Sequence, residues 1–178
     1  MQRSIRESNE IQKINYRGSD KKYCQLLQGN NKSIWIVEGG IDALALRDLA
    51  LRQKEDPPTI LISGGANVKS FLERDSIQNL LKDANRVTIA VEKEKNNETQ
   101  IKVDKGHERQ QESLKEIVGD KEVRIWKPKE GQGKDLADLN KLHRDREIIA
   151  EMAAKQEIQE KQKKERKLEI DRSRGMSM

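Results

Sequence analysis

The chain of 178 residues has a single cysteine, Cys24, which excludes an internal disulfide and the usual cysteine-rich zinc site. It has no run of 18 apolar residues and no apolar core of a secretory leader, so a soluble cytoplasmic protein without a membrane partner is expected. Aromatic residues make up 3% and hydrophobic residues 33%, against 38% charged, with a mean hydropathy of -0.98. So little apolar material has to be concentrated to form a core, and it is concentrated between residues 34 and 142. Charge of one sign is also scarce: 36 Lys and Arg stand against 31 Asp and Glu, a net +5, which permits a polyanionic partner without dictating one.

The apolar material falls into four short runs rich in β-branched residues, at 34–37, 59–62, 87–91 and 123–126. Each is bounded by polar or glycine-containing turns, as buried strands are. Between them lie segments of helical spacing: Leu44, Leu46, Leu49 and Leu51, then Val68 to Leu81, then His107 to Val118. The resulting order, βαβαβαβ, predicts an α/β domain over 34–143 with a mainly parallel four-stranded sheet flanked by helices. Residues 1–33 read as a polar lead-in with a possible short strand at Lys22 to Leu27, and 144–178 as a long charged helical tail rich in possible i,i+4 pairs.

Ligands of parallel sheets gather at the carboxyl ends of the strands, and three segments there carry chemistry. The first is Val37-Glu38-Gly39-Gly40-Ile41-Asp42-Ala43-Leu44. A carboxylate at a strand mouth, followed by glycines that let a phosphate approach, suits metal or proton chemistry; equally, the glycines make a turn and Asp42 complements a helix dipole. The second is Glu92-Lys93-Glu94. If the chain stays extended, Glu92 and Glu94 point the same way and face one hard cation; otherwise they are a solvated edge. The third is Gly131-Gln132-Gly133-Lys134-Asp135-Leu136-Ala137-Asp138, which suits a phosphate contact or, more simply, a helix capped by Asp135.

Together with Ser63-Gly64-Gly65 after the second strand, these segments resemble, in kind and order, the Toprim family of topoisomerases, bacterial primases and nucleases. The form is similar to Toprim domains attached to plasmid mobilisation proteins, relaxases and plasmid primases. The resemblance implies a DNA-processing role in plasmid mobilisation, conjugation or replication, with a Mg2+-dependent (or Mn2+-dependent) phosphoryl-transfer site on nucleic acid. It implies Glu38 as general acid or base and metal ligand, Glu92 and Glu94 as further ligands, and Gly39, Gly40, Asp42, Gly64, Gly65, Lys134, Asp135 and Asp138 around phosphate and ligands. Two glutamates stand where the family has an aspartate pair, and each carries its carboxylate roughly 1.5 Å farther out, whereas Mg2+ holds its ligands at about 2.0–2.1 Å in a near-ideal octahedron. An alternative register uses Asp104, with Lys95 to Val103 as a polar insertion.

A relaxase nicking domain needs a nucleophilic tyrosine and a histidine cluster, and a chain with two histidines and two tyrosines does not hold one. Two readings therefore stand. One is a Toprim enzyme component, primase-, topoisomerase- or nuclease-like. The other is a catalytically degenerate module that binds nucleic acid or a relaxase or replication partner.

Overall fold

The computed structural model describes residues 2–7, 10–15, 24–64 and 69–175, and the side chains of residues 24–64 and 71–165. Strands β1 (Gln2–Glu7) and β2 (Glu10–Asn15) pair antiparallel with each other, Gln2 opposite Asn15. The domain proper follows in the order β3 (Gln25–Leu27), β4 (Ser33–Val37), α1 (Gly40–Arg52), β5 (Thr59–Ile62), α2 (Lys69–Leu72), α3 (Asp75–Asp83), β6 (Arg86–Ala90), α4 (Asn97–Val118), β7 (Glu122–Trp126) and α5 (Leu136–Gly175).

This is an α/β architecture with a mixed five-stranded sheet ordered β3-β5-β4-β6-β7. The expected parallel strands are all there, with Ile36 opposite Leu61 on one side and Ile89 on the other, and Val87 opposite Val123. The expected count of four is corrected to five. β3 adds antiparallel to the outer side of β5, Leu26 opposite Leu61. It lies within the possible short strand expected at Lys22 to Leu27, whose first two residues fall outside the described ones, and its own first two residues, Gln25 and Leu26, are exposed.

The chain leaves β4 toward β5 on one side, then crosses to β6 on the other, so the order reverses between β4 and β6. In doubly wound sheets that reversal opens a crevice at the carboxyl ends of the two strands.

Alternation along the strands splits the core between the two faces. Ile34, Ile36, Val87 and Ile89 pack with Phe71, Leu81 and Leu114 of α2, α3 and α4. Val37 and Ile60 pack with Ala43 and Leu46 of α1 and Leu136 of α5, where Trp35 and Trp126 lie with ring centroids 6.3 Å apart. Both faces are therefore covered, which is why the strands read as near-continuous apolar runs.

Two helices differ from the expected spans for identifiable reasons. The segment expected as one helix from Val68 to Leu81 is two, separated by Glu73 and an extended Arg74 (φ -88°, ψ 128°). At 100° per residue an unbroken helix would put the apolar pair Phe71 and Leu72 out of phase with Ile77 and Leu81; the break lets all four reach one core. The third helix starts at Asn97 rather than His107, so the supposed insertion is partly helical and Asp104 lies within α4 instead of in a loop before it. Its first turns are mostly polar, with only Ile101 and Val103 apolar, too few to mark a helical stripe. They are held by the Asn96 side chain, which accepts from the Glu98 amide at 2.8 Å, and by Gln100 donating to Asp104 at 2.9 Å.

Helix α5 packs its first turns on α1, then continues with every described residue from Arg144 to Glu165 exposed. No helix among the described residues is long and apolar enough to cross a membrane. The Arg52–Glu147 ion pair is exposed and of the kind worth about 0–1 kcal/mol. Deleting residues 145–178 is therefore expected to leave one cooperative thermal transition, lowered by no more than about 2–4 °C. Loss of that transition in circular dichroism would make the distal helix part of the folding unit.

Candidate functional site

The parallel ladder runs one step past the end of β4: the Ser63 amide donates to the Val37 carbonyl at 2.9 Å and the Gly64 amide to the Glu38 carbonyl at 3.0 Å. These bonds fix the backbone of Glu38 at the mouth of the sheet. Gly39 caps α1 in an extended conformation and accepts from the Ala43 amide at 3.2 Å. A Cβ on Gly40 would meet nothing within 4 Å, so the space above this turn is open to solvent. Gly64 takes a left-handed φ of 67°, while Gly65 lies outside the described residues.

Glu38, Asp42, Glu92 and Asp135 line one cavity of about 10 Å³ at the ends of β4 and β6, together with apolar residues that include Val37, Ala90 and Trp126. That is roughly the room of one water-sized particle. Four carboxylates from four segments thus meet at the point where the strand order reverses.

The electrostatics follow from this crowding. Burial, and then repulsion from Asp135, pushes the Asp42 carboxyl above its ordinary range. Burial, and then repulsion from Glu38, does the same to Glu92. The compensating cation is Lys134, whose Nζ lies 3.1 Å from Asp135 Oδ2 and 3.7 Å from Glu92 Oε2. Its hydrogen bond to Asp135, followed by the charge of Glu92, raises the lysine above its usual range.

Several of these groups also hold the fold. Asp42 Oδ1 accepts from the Ala137 amide at 3.2 Å and so joins the first turns of α1 and α5. Asp135 Oδ1 accepts from the Asp138 amide at 2.8 Å, and Asp138 Oδ2 accepts from the Lys134 amide at 2.9 Å, a reciprocal arrangement related to a capping box. Asp138 is thus committed to the loop and does not line the cavity.

Glu94 does not join Glu92. β6 ends at Ala90, so residues 92–94 are no longer pleated and the alternation that would align the two carboxylates does not extend to them. Glu94 is exposed, and its amide donates to Gln100 Oε1 at 2.7 Å. Asp104 is held apart too, by Lys127 Nζ at 2.7 Å, which draws its carboxyl below the ordinary range. Its place is the wall of a neighbouring pocket of about 210 Å³, shared with Glu92, Lys93 and Lys127. Among the described residues, no group of three or more His, Cys, Asp or Glu is assembled to hold a metal ion.

One residue without an expected site role is His107. It lines a small cavity with Glu38, Ser63 and Glu92, and its Nδ1 lies 2.9 Å from Gln110 Oε1. Only knowing that α4 begins at Asn97 would have turned attention to it.

Comparison of the chain with protein-family models, with curated proteins and with solved structures found no match.

Two outcomes test this geometry. Asp42→Asn keeps the acceptor for Ala137 and removes a charge. Because the folded carboxyl titrates above its ordinary value of 3.8, its ionisation opposes folding at neutral pH, and this penalty fades as pH falls toward that value. The variant should therefore match or exceed the parent in urea unfolding at pH 7 and lose that advantage near pH 4; a pH-independent loss of stability would contradict the assignment. Gly133, at φ 86°, would place an added Cβ 2.2 Å from Asp138 Cβ. Gly133→Ala should cost about 1–3 kcal/mol in the same measurement.

Proposed function

We propose that the chain is a Toprim-like module of DNA processing, serving plasmid mobilisation, conjugation or replication, whose carboxylate site addresses a nucleic-acid phosphate. The observation that carries this reading is the meeting of Glu38 and Glu92 at the carboxyl ends of β4 and β6, on either side of the strand-order reversal.

The residues suit a hard divalent cation in kind: they offer carboxylate oxygens, two of which, on Asp42 and Glu92, have their proton affinity raised by burial and then by like charge, around space for one small particle. Glu38 and Glu92 would hold Mg2+ or Mn2+. When bound, such an ion neutralises charge on a phosphoryl group. Glu38, half-buried and backed by the Gly64 amide on its own carbonyl, is the group that takes or returns a proton at a phosphodiester oxygen. The turn at Gly39 and Gly40 leaves room for the strand to approach. The net charge of +5 favours DNA as the partner, and the exposed, mixed-charge length of α5 offers a relaxase or replication protein a contact surface.

A second reading, a catalytically silent module that binds nucleic acid or such a partner, is favoured by the separation of Glu94 from Glu92. Calorimetric titration of the full chain with Mn2+ and Mg2+, beside Glu38→Gln and Glu92→Gln, separates the two. The enzyme reading expects binding that each substitution weakens by at least about tenfold, a loss of about 1.4 kcal/mol. It also expects metal-dependent cleavage or extension of a labelled DNA strand. An absence of metal binding by the parent removes the enzyme reading, and an absence of DNA retention in fluorescence anisotropy removes it too and leaves the second reading only in its partner-binding form.

A further inference from the structure

The outer faces of α1 and α5 leave large apolar side chains in water. Ile41 and Leu44 on α1, and Ile148, Ile149, Met152 and Ile158 on α5, are each between 53% and 74% exposed. Scattered singly, such residues would need no explanation, but Ile41, Leu44 and Ile148 line one groove of about 420 Å³ between the two helices. Met152 lies one turn farther along the same face of α5. Charged side chains at i,i+4 spacing suffice to keep the exposed length of α5 helical, and they give no reason for these apolar ones. Along that face Lys141, Asp145, Ile148, Met152, Lys155 and Gln159 follow one another at intervals of four and three residues, the spacing of a coiled-coil seam.

We propose that this face pairs two copies of the chain, with their α5 helices antiparallel about a two-fold axis beside Ala150. The seam is self-complementary in that register alone. Ile148 of each copy meets Met152 of the other, and Asp145 of each meets Lys155 of the other, so one apolar contact and one ion pair both occur twice. A parallel pairing would set Asp145 against Asp145 and Lys155 against Lys155. Ile149, displaced from the seam by one residue, meets its own counterpart near the axis. The opposite flank of α5 carries Ile158 and turns toward α1, so Ile158 of the second copy enters the groove at Leu44. The six apolar residues expose on the order of 600 Å² per copy, and with the flanking charged side chains this approaches the about 800 Å² per partner of a stable interface. With only two apolar residues in the seam, association in the micromolar range is expected, and each domain remains its own folding unit.

Sedimentation equilibrium of the full chain over a range of concentrations tests the pairing. The parent is expected to rise from 20.5 kDa toward twice that mass. Ile148→Gln combined with Met152→Gln should weaken association at least about tenfold, and because both positions are exposed the thermal transition of the isolated chain should persist. Asp145→Lys alone and Lys155→Glu alone should each weaken it roughly threefold or more, since each turns two attractions into repulsions, and the double exchange should restore the parent affinity. A monomer at every concentration overturns the proposal and leaves the face to a different protein. A dimer indifferent to the glutamine substitutions overturns it by placing the interface elsewhere, and a charge exchange that fails to restore affinity overturns the antiparallel register.

Discussion

A parallel sheet sends the carboxyl ends of its strands to one edge, and in this protein that edge gathers like charge. Glu38 from β4, Glu92 beyond β6, Asp42 from α1 and Asp135 before α5 surround space for about one water-sized particle. Burial of these carboxyls, and then their mutual repulsion, is unfavourable to their charged forms and raises the proton affinity of Asp42 and Glu92. Much of the surrounding structure answers that repulsion. The Ala137 amide turns toward Asp42, the Asp138 amide toward Asp135, and Lys134 is carried by a glycine bend to Asp135 and Glu92.

The same bonds couple site and fold. The hydrogen bond between Asp42 and Ala137 joins helices separated by most of the domain's sequence, and behind it Ala43, Leu46 and Leu136 share one buried cluster with Val37. The loop before α5 therefore has two tasks that conflict in charge. It must cap a helix with an acid, and it must bring that acid to a place already acidic. Setting a lysine next to the capping aspartate resolves the conflict locally, since the ammonium that screens Asp135 also reaches Glu92.

Much of the fold was legible because it depends on short-range patterning. Ile34 to Val37, Thr59 to Ile62 and Val87 to Val91 are nearly continuous apolar runs, as doubly covered strands are, and Val123 to Trp126 is interrupted only by the exposed Arg124 of the edge strand. Elements without such a signal were missed or misdrawn. β3, three residues long, was expected only as a possible strand of the lead-in and not as a member of the sheet, the first turns of α4 are mostly polar, and the break at Arg74 is a matter of helical phase relative to a core that the sequence does not display. In the site, Glu38, Glu92, Asp42 and Asp135 were legible as acids following strands or opening helices. The pairing of Glu94 with Glu92 was not, because pleating ends at Ala90 and side-chain direction past a strand end is set by loop contacts such as that of Glu94 with Gln100.

The sequence by itself determined the residue types at the carboxyl ends of the strands and the α/β alternation that brings those ends to one edge, since both depend on local order and hydrophobic period. Only the tertiary structure decided which acids share a cavity, which are spent on capping, that Asp104 belongs to Lys127, and that His107 stands beside Glu38. The reason is range. Strand and helix patterns are written over a few neighbouring residues, whereas the charge state of a carboxylate depends on every group within a few ångströms, and here those groups come from five separate segments between Glu38 and Asp138.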